Sequence, residues 1–242
     1  MDQIDLGNQN AIVTGAGRGI GRAIAIMLAK HGAHVIAAAR TKTEVDETAA
    51  MIKQNGGSAR SFVFDLADEK SIQSLFSDTI ESTGTLDILV NNAGIGKYGL
   101  IQDFSSKDLQ DVLDINVRGT YLCCQEAMKR MIPRKSGYII NIASVVGFKG
   151  YPNQSAYTAS KHAIMGLTKS LSVEAQAHDI RVSVINPGGT DTDLATAARP
   201  DLDPSVLMQP EDVAQTVLFL LSLSDRCAID EIYIRRRSSQ PF

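Results

Sequence analysis

Short apolar runs alternate with amphipathic stretches along almost the whole chain. Asn10 to Val13 is an apolar run ending at Thr14 and a glycine-rich turn, and from Ile20 to Lys30 the residues Ile20, Ile24, Met27 and Leu28 fall at helical spacing. This predicts a strand, a turn and a helix. Ala33 to Ala38 reads as a second buried strand, and a polar helix from Thr43 to Gln54 stops at Gly56-Gly57. Arg60 to Phe64 is expected as a third strand ending at Asp65, Asp68 to Ser82 as a helix, and Leu86 to Val90 as a fourth strand running into Asn91-Asn92-Ala93-Gly94. A long helical region from Ser105 to about Met131 precedes a fifth strand, Gly137 to Ile142, a helix from Ser155 to His178, and a sixth strand, Arg181 to Ile185, leading to Asn186-Pro187-Gly188. Gly189 to Met208 breaks the pattern. Pro210, Glu211 and Asp212 have the form of a helix first turn, with acids at the positive end of the dipole; Val213 to Leu223 continues that helix, and Ile229 to Ile234 is a seventh strand.

Strands that read as continuous apolar runs, each followed by a helix, argue for a parallel sheet covered on both faces. The expected fold is α/β: one domain over residues 1–242, a doubly wound parallel sheet of Rossmann type in three α/β/α layers. No internal repeat or interdomain linker divides the chain. Ligands of such sheets sit beyond the carboxyl ends of the strands at the topological switch point. Thr14, Asp65, Asn91, Ser144 and Asn186 all fall at predicted strand carboxyl ends, so polar residues gather where the fold places a site.

Composition narrows the class of partner. A net charge of −3, with 44% hydrophobic and 21% charged residues, suits a soluble enzyme and gives no reason to expect nucleic acid or an anionic membrane as partner. The one basic run is Arg235-Arg236-Arg237. No stretch approaches the ~18 apolar residues of a membrane span, and the opening MDQIDLGNQN is too polar for a signal peptide, so the cytoplasm is the expected location. Cys123, Cys124 and Cys227 have neither metal-ligand nor CxxC spacing and are expected to be reduced packing residues, with no metal site.

Two stretches carry candidate chemistry. In TGAGRGIG, Thr14 to Gly21, the glycines Gly15, Gly19 and Gly21 would let a backbone approach a pyrophosphate at a helix N-terminus; a plain packing turn is the alternative. At the end of the second strand, where a carboxylate would hold the 2′-hydroxyl of NAD, stand Ala38-Ala39-Arg40. Arg40 and Arg18 suit a 2′-phosphate instead, so the expected cofactor is NADP(H); solvated surface charges are the alternative. The second stretch, Ser144 to Lys161, supplies a serine and then Tyr157 and Lys161 on one helix face. A tyrosine titrates near pH ~10, and an ammonium beside it favours the phenolate, bringing its pKa toward working pH for proton transfer. An exposed helix lysine is the alternative for Lys161, a simple turn for Asn91 to Gly94, and a surface residue for Asn116.

Together TGAGRGIG, NNAG, Asn116, Ser144, Tyr157-Thr-Ala-Ser-Lys161 and Asn186-Pro187-Gly188 occur in an order that resembles the short-chain dehydrogenase/reductase superfamily. The resemblance runs from about residue 5 to residue 235, and within the superfamily the chain looks most like 3-oxoacyl-[acyl-carrier-protein] reductases and their relatives. It implies a catalytic tetrad of Asn116, Ser144, Tyr157 and Lys161, with Asn116 positioning a water that links Lys161 to solvent. It further implies that Asp65 lies by the adenine, that Asn91 and Ala93 lie by the cofactor ribose, and that Pro187 to Thr192, with Pro187, Gly188, Thr190 and Thr192 as contacts, lie along the nicotinamide side, while Leu66, Asn92 and Gly94 also belong to the cofactor set. Gly15, Arg18, Gly19, Ile20, Gly21 and Arg40 complete the implied cofactor set. The expected activity is hydride transfer between NADPH and a small carbonyl substrate, acyl thioesters included, with residues 189–208 as a substrate loop. A dinucleotide-binding regulatory or scaffold protein without turnover is the rival, and a reductase of another small carbonyl the nearer alternative.

The chain departs from the family at two points. It ends IDEIYIRRRSSQPF rather than in a glycine-rich VDGG turn, and Val173 stands where carrier-protein reductases often have a basic residue, leaving Lys129, Arg130, Arg134 and Lys135 as candidate docking charges against the plainer reading of a solvated helix end. A homotetramer is expected, its interface on the helices around Asp111 to Met131 and Ser155 to His178. There Ala163, Ile164, Leu167, Leu171 and Val173 spread apolar residues over more than one stripe.

Overall fold

The apolar runs fold as strands of one sheet, most of them buried on both faces. In the computed structural model, which describes residues 4–199, 201 and 203–241, the strands are β1 (Asn10–Thr14), β2 (His34–Ala39), β3 (Ser58–Val63), β4 (Ile88–Asn91), β5 (Gly137–Ile142), β6 (Ile180–Pro187) and β7 (Glu231–Ile234). All pair in parallel, in the order β3-β2-β1-β4-β5-β6-β7. The chain reverses its direction of travel across the sheet between β3 and β4, so the switch point lies where β1 and β4 are neighbours.

Helices α1 (Gly19–Lys30), α2 (Lys42–Gln54), α3 (Glu69–Thr83), α4 (Ser106–Leu113), α5 (Thr120–Met131), α6 (Ser155–Gln176), α7 (Asp193–Ala198) and α8 (Pro210–Leu221) follow the strands. The period of two along each strand divides the core. Ala11 and Val13 of β1 face Ile24 and Leu28 of α1 and Val213, Val217 and Leu220 of α8. Ile12 between them faces the other layer, where Ile72, Leu75 and Phe76 of α3, Cys123 and Ala127 of α5, and Leu171 and Ala175 of α6 meet Ile36, Leu89, Ile139 and Val182. Local chemistry sets the helix ends. The Asp68 carboxylate accepts from the Lys70 amide, Gly84 closes α3 in the left-handed region at φ 78°, and α8 starts with Pro210 inside a Gln209–Asp212 capping box.

Two segments differ from the sequence expectation. The long helix is broken between α4 and α5 by a π-helical turn, Asp114–Gly119, and Gly119 there packs so closely on the loop after β3 that a Cβ would lie 2.5 Å from the Leu66 carbonyl oxygen. Within the expected irregular loop 189–208, α7 forms, capped by Thr192, and Thr190 bridges to Met208 so that the two ends of the segment meet. Pro200 and Leu202 of that segment, like residues 1–3 and 242, lie outside the described residues.

Side-chain burial corrects two further readings. Leu171, read as part of an outer stripe, is 8% exposed and belongs to the core, whereas Val173 is 71% exposed. Cys123 and Cys124 are buried packing residues as expected; Cys227 is exposed. No helix among the described residues is long and apolar enough to cross a membrane.

Between β4, β5 and the two helices over them runs a buried polar chain. Asn91 Nδ2 donates to Asn141 Oδ1 at 2.9 Å and to Cys124 Sγ at 3.3 Å, and Asn141 Nδ2 donates to Thr168 Oγ1 at 2.9 Å. Asn141→Ala strands both neighbours in a dry core, so urea unfolding should show a loss of about 1–3 kcal/mol; an unchanged midpoint would mean these contacts contribute nothing net.

Candidate active site

The site begins where β1 ends. Thr14 Oγ1 accepts from the Asn92 and Ala93 amides at 3.0 and 3.1 Å, while Asn92 Nδ2 donates to the Thr14 carbonyl at 3.1 Å, tying the β1 turn to the β4 turn across the switch point. These contacts leave no room for side chains. A Cβ on Gly15, which sits at φ 67°, would lie 2.9 Å from Ala93 Cα, and one on Gly21 would lie 2.1 Å from the Gly15 carbonyl oxygen. The first turn of α1 therefore opens at Gly19 with free backbone amides and no acidic side chain.

In front of this turn lies a cavity of about 520 Å³. Gly15, Arg18, Gly19 and Ile20 form one end, Arg40, Asp65 and Leu66 a second wall, Asn92, Ala93 and Gly94 the floor, and Tyr157, Lys161 and Thr192 the far end. Gly21, Pro187, Gly188 and Thr190 do not line it. Gly21 lies behind, against the Gly15 carbonyl; Pro187 and Gly188 run beside β7; and Thr190 Oγ1 turns back to the Gly188 carbonyl. Arg18 pairs with Asp193 at 2.7 Å, and Thr192 Cγ2 stands 3.2 Å from where a Gly19 Cβ would be, so the head of α7 overhangs the glycine turn. Arg40 has no carboxylate partner among the described residues.

Tyr157 and Lys161 project from α6 into the other end. The Lys161 ammonium donates to the Ile142 carbonyl at 3.0 Å and stands 5.7 Å from the Tyr157 ring centroid. Ser144 Oγ donates to the Pro187 carbonyl at 3.5 Å, and its hydroxyl also engages the Tyr157 phenol. Asn116, 2% exposed within the π-helical turn, accepts from the Ile95 amide and donates to the Ile95 carbonyl, both at 2.8 Å, and donates to Ser160 Oγ at 3.1 Å. It stands behind the cavity wall, with its Oδ1 3.1 Å from where a Gly94 Cβ would be.

Burial outweighs the charge attraction expected between this phenol and ammonium. It pushes the Tyr157 phenol well up from its ordinary value, the neighbouring Tyr98 phenol adds to this, and the Ser144 hydroxyl offsets only part. The Lys161 ammonium is brought down to about 8 by burial. The expected lowering of the tyrosine pKa is thus reversed in this state, because both groups have lost water.

Residues of the site that escaped sequence reasoning include Tyr98, Glu44 and Asp193. Tyr98 packs edge-on to Tyr157 with centroids 6.0 Å apart and donates to the Leu194 carbonyl at 3.5 Å; burial raises its phenol to about 12. Glu44 reaches the cavity from the first turn of α2, its carboxylate 2.9 Å from where a Gly17 Cβ would be, although no carboxylate ends β2. Asp193 arrives through the unpredicted helix α7. Only Tyr98 had a signal, an aromatic four residues after the NNAG turn. Of the four cations weighed as a docking surface, Lys129 and Arg130 pair with Glu126 and Arg134 pairs with Asp87.

Known proteins resemble this chain in sequence and fold. Residues 9–203 match the family model described as short chain dehydrogenase. A 3-oxoacyl-[acyl-carrier-protein] reductase FabG of Staphylococcus aureus is 36% identical over 223 residues, 88% of this chain and 91% of that protein. A 3beta-hydroxysteroid dehydrogenase of Mediterraneibacter gnavus is 38% identical over 192 residues, 79% of this chain and 69% of that protein. Among solved structures, a metagenomic short-chain oxidoreductase in complex with NADP superposes with a TM-score of 0.86 at 32% identity, covering 97% of this chain and 99% of that one. An actinorhodin polyketide ketoreductase variant with NADPH gives 0.89 at 28% identity over 94% and 96% of the two chains. The chain belongs to the short-chain dehydrogenase family of oxidoreductases.

The buried lysine carries a stability signature. Its pKa falls from 10.5 unfolded to about 8 folded, so between these values the unfolded chain binds the extra proton and stability rises with pH. From pH ~8 to ~10 this group alone should add about 2 kcal/mol, read as the difference in urea unfolding between the unmodified protein and Lys161→Met, since the buried Cys123 and Cys124 thiols, pushed up by burial, oppose the rise equally in both. Equal pH slopes for the two proteins would contradict the burial argument.

Proposed function

We propose that this short-chain dehydrogenase reduces a ketone of the 3-oxoacyl kind to a secondary alcohol with NADPH, as a cytoplasmic homotetramer. One observation carries the reading: a phenol, with the Ser144 hydroxyl beside it, and an ammonium stand at one end of a cleft whose other end is a glycine-rich helix N-terminus. The relative that reduces 3-oxoacyl groups and the neighbours bound to NADP or NADPH support the substrate class and the cofactor.

The glycine turn suits the cofactor, because a Cβ at Gly15 or Gly19 would occupy a strained backbone and crowd the approach to the α1 amides. Arg40 is free to take a 2′-phosphate, Arg18 would join it on leaving Asp193, and Asp65, Leu66, Asn92, Ala93 and Gly94 would hold the adenosine half. When bound, NADPH supplies the hydride.

The remaining chemistry falls to the chain's own residues. Ser144 Oγ–H donates to the substrate carbonyl oxygen and fixes it beside Tyr157. Tyr157, which burial keeps protonated, transfers its proton to that oxygen as alkoxide character develops; an alkoxide is a far stronger base than a phenolate, so a raised phenol pKa still leaves the transfer downhill. The Lys161 ammonium, mostly charged near neutral pH, offsets the phenolate left behind. Asn116 holds the Ile95 backbone, and with it the floor at Gly94, in place against Lys161, where it would position the water that links Lys161 to solvent. Residues 189–208 act as the substrate loop, with Tyr98 bridging from the floor to Leu194. Exposed Leu109, Tyr121 and Val173 on α4, α5 and α6 supply the apolar faces for assembly.

Tyr157→Phe keeps the ring and removes the acidic proton, so turnover of a competent ketone should fall by roughly 10²- to 10⁴-fold with NADPH binding retained. Near-normal turnover would refute the role. NADPH should be preferred over NADH, and Ala39→Asp with Arg40→Ala should reverse the preference by adding repulsion where a cation was lost; steady-state kinetics with both cofactors decides it.

A further inference from the structure

The end of β2 carries no carboxylate, yet the cavity wall beside it does. Glu44 comes from the first turn of α2, four residues beyond Arg40, and lines the cleft together with Ala39, Arg40, Thr41, Gly17 and Arg18. In a sheet of this kind, this is the wall that faces the adenosine ribose of a dinucleotide. The Glu44 side chain lies folded over the glycine turn, with its Cβ and its Oε2 each 2.9 Å from where a Gly17 Cβ would be. A side chain at position 17 would displace it.

The arrangement is fixed from behind. Thr48 Oγ1 shares its proton between the Ala16 and Glu44 carbonyls, at 2.9 and 3.0 Å. Arg22 Nε donates to the Gly17 carbonyl at 2.9 Å, and its guanidinium pairs with Glu47 at 2.7 Å. The head of α2 is thus bolted to the glycine turn, and Glu44 is carried at a set place on the cavity side. The charges along this wall are unevenly engaged. Arg18 and Asp193 satisfy each other at 2.7 Å, Lys42 pairs with Asp46, and an Asp65 oxygen accepts from the Ala67 amide at 2.9 Å. Glu44 and Arg40 take part in no ion pair among the described residues, with each other or with any other group. One carboxylate and one guanidinium therefore line the same end of the cleft uncommitted.

We infer that Glu44 sets how narrowly the site discriminates between the two nicotinamide dinucleotides: its carboxylate accepts from the adenosine 2′-hydroxyl of NADH and repels the 2′-phosphate that Arg40 attracts. A carboxylate binds a hydroxyl donor strongly and has only repulsion to offer a second anion. The acceptor expected at the end of β2 is supplied here one helical turn later, from α2. NADPH stays preferred through Arg40, with NADH admitted as a working second cofactor.

The inference rests on the dinucleotide reading of the cleft, and equilibrium binding separates the two without any substrate. Unmodified protein, Glu44→Gln, Glu44→Lys and Arg40→Gln are each titrated with NADPH and with NADH, and the fluorescence of the reduced nicotinamide gives the Kd values. Glu44→Gln should bind NADPH more tightly and NADH more weakly, so that the ratio Kd(NADH)/Kd(NADPH) rises about tenfold, the size of one charge-assisted contact. Glu44→Lys should move the ratio further the same way, and Arg40→Gln should lower it. Opposite movement of the two Kd values is the signature, because damage to the glycine turn or to α2 weakens both. An unchanged ratio in Glu44→Gln, a parallel loss of both affinities in the two Glu44 variants, or a ratio unmoved by Arg40→Gln overturns the inference while the dinucleotide reading stands. If the unmodified protein binds neither nucleotide, that reading falls and this inference with it.

Discussion

Everything at the catalytic edge depends on how closely three pieces of backbone approach one another where β1 and β4 meet. The first turn of α1, the turn after β1 and the turn after β4 are held within van der Waals distance by Thr14 and Asn92, and the approach is possible because Gly15 and Gly21 have no side chains. One methyl at Gly21 would meet a carbonyl oxygen at 2.1 Å, so the helix would have to back away from the sheet. The α1 amides would then lose their aim into the cleft, and α8, which packs on α1, would lose its floor. Close packing and ligand access are here the same requirement.

The sheet and the order of its elements were legible because periodicity is a local property. Each strand lies within two residues or so of the apolar run that announced it, and Asp68, Gly84 and Pro210 mark helix ends through their own side chains and dihedrals. What could not be read from the pattern depends on contacts distant in sequence. The π-helical turn at Asn116 answers to Leu66 and Ile95, not to its own neighbours. Leu171 and Val173 are two residues apart and equally apolar; which of them is buried is decided by Ile180 and Val182 on β6, against which one of them packs. The candidate site followed the same division. Of the residues announced by turn chemistry, Gly15, Gly19, Asn92, Ala93 and Gly94 line the cleft with the i, i+4 pair on α6, while Gly21, Pro187, Gly188 and Thr190 do not; Glu44, Asp193 and Tyr98 enter from elements whose orientation the pattern does not set.

The electrostatics at Tyr157 and Lys161 show why a spacing argument has a sign problem. Four residues apart on a helix puts the two groups near each other, and in water the ammonium would favour the phenolate. Both side chains are instead almost fully buried, and burial penalises each charge separately, raising one pKa and lowering the other. The phenol therefore stays protonated, while the ammonium, lowered to about 8, still carries most of its charge near neutral pH.

The π-helical turn before α5 also has a rotational meaning. A π turn accommodates one residue more than an α-helix of the same rise, and each residue advances an α-helix by about 100°. The face that α5 shows to the sheet, with Cys123, Cys124, Ala127 and Met131, is thus in phase only because the extra residue is present. Removing it would turn those residues toward water and bring Tyr121 and its polar neighbours inward. Six residues thus act as a phase shifter: they let one end of a helical rod answer to the cofactor cleft and the other to the core, two demands that a straight helix of this sequence would set at odds.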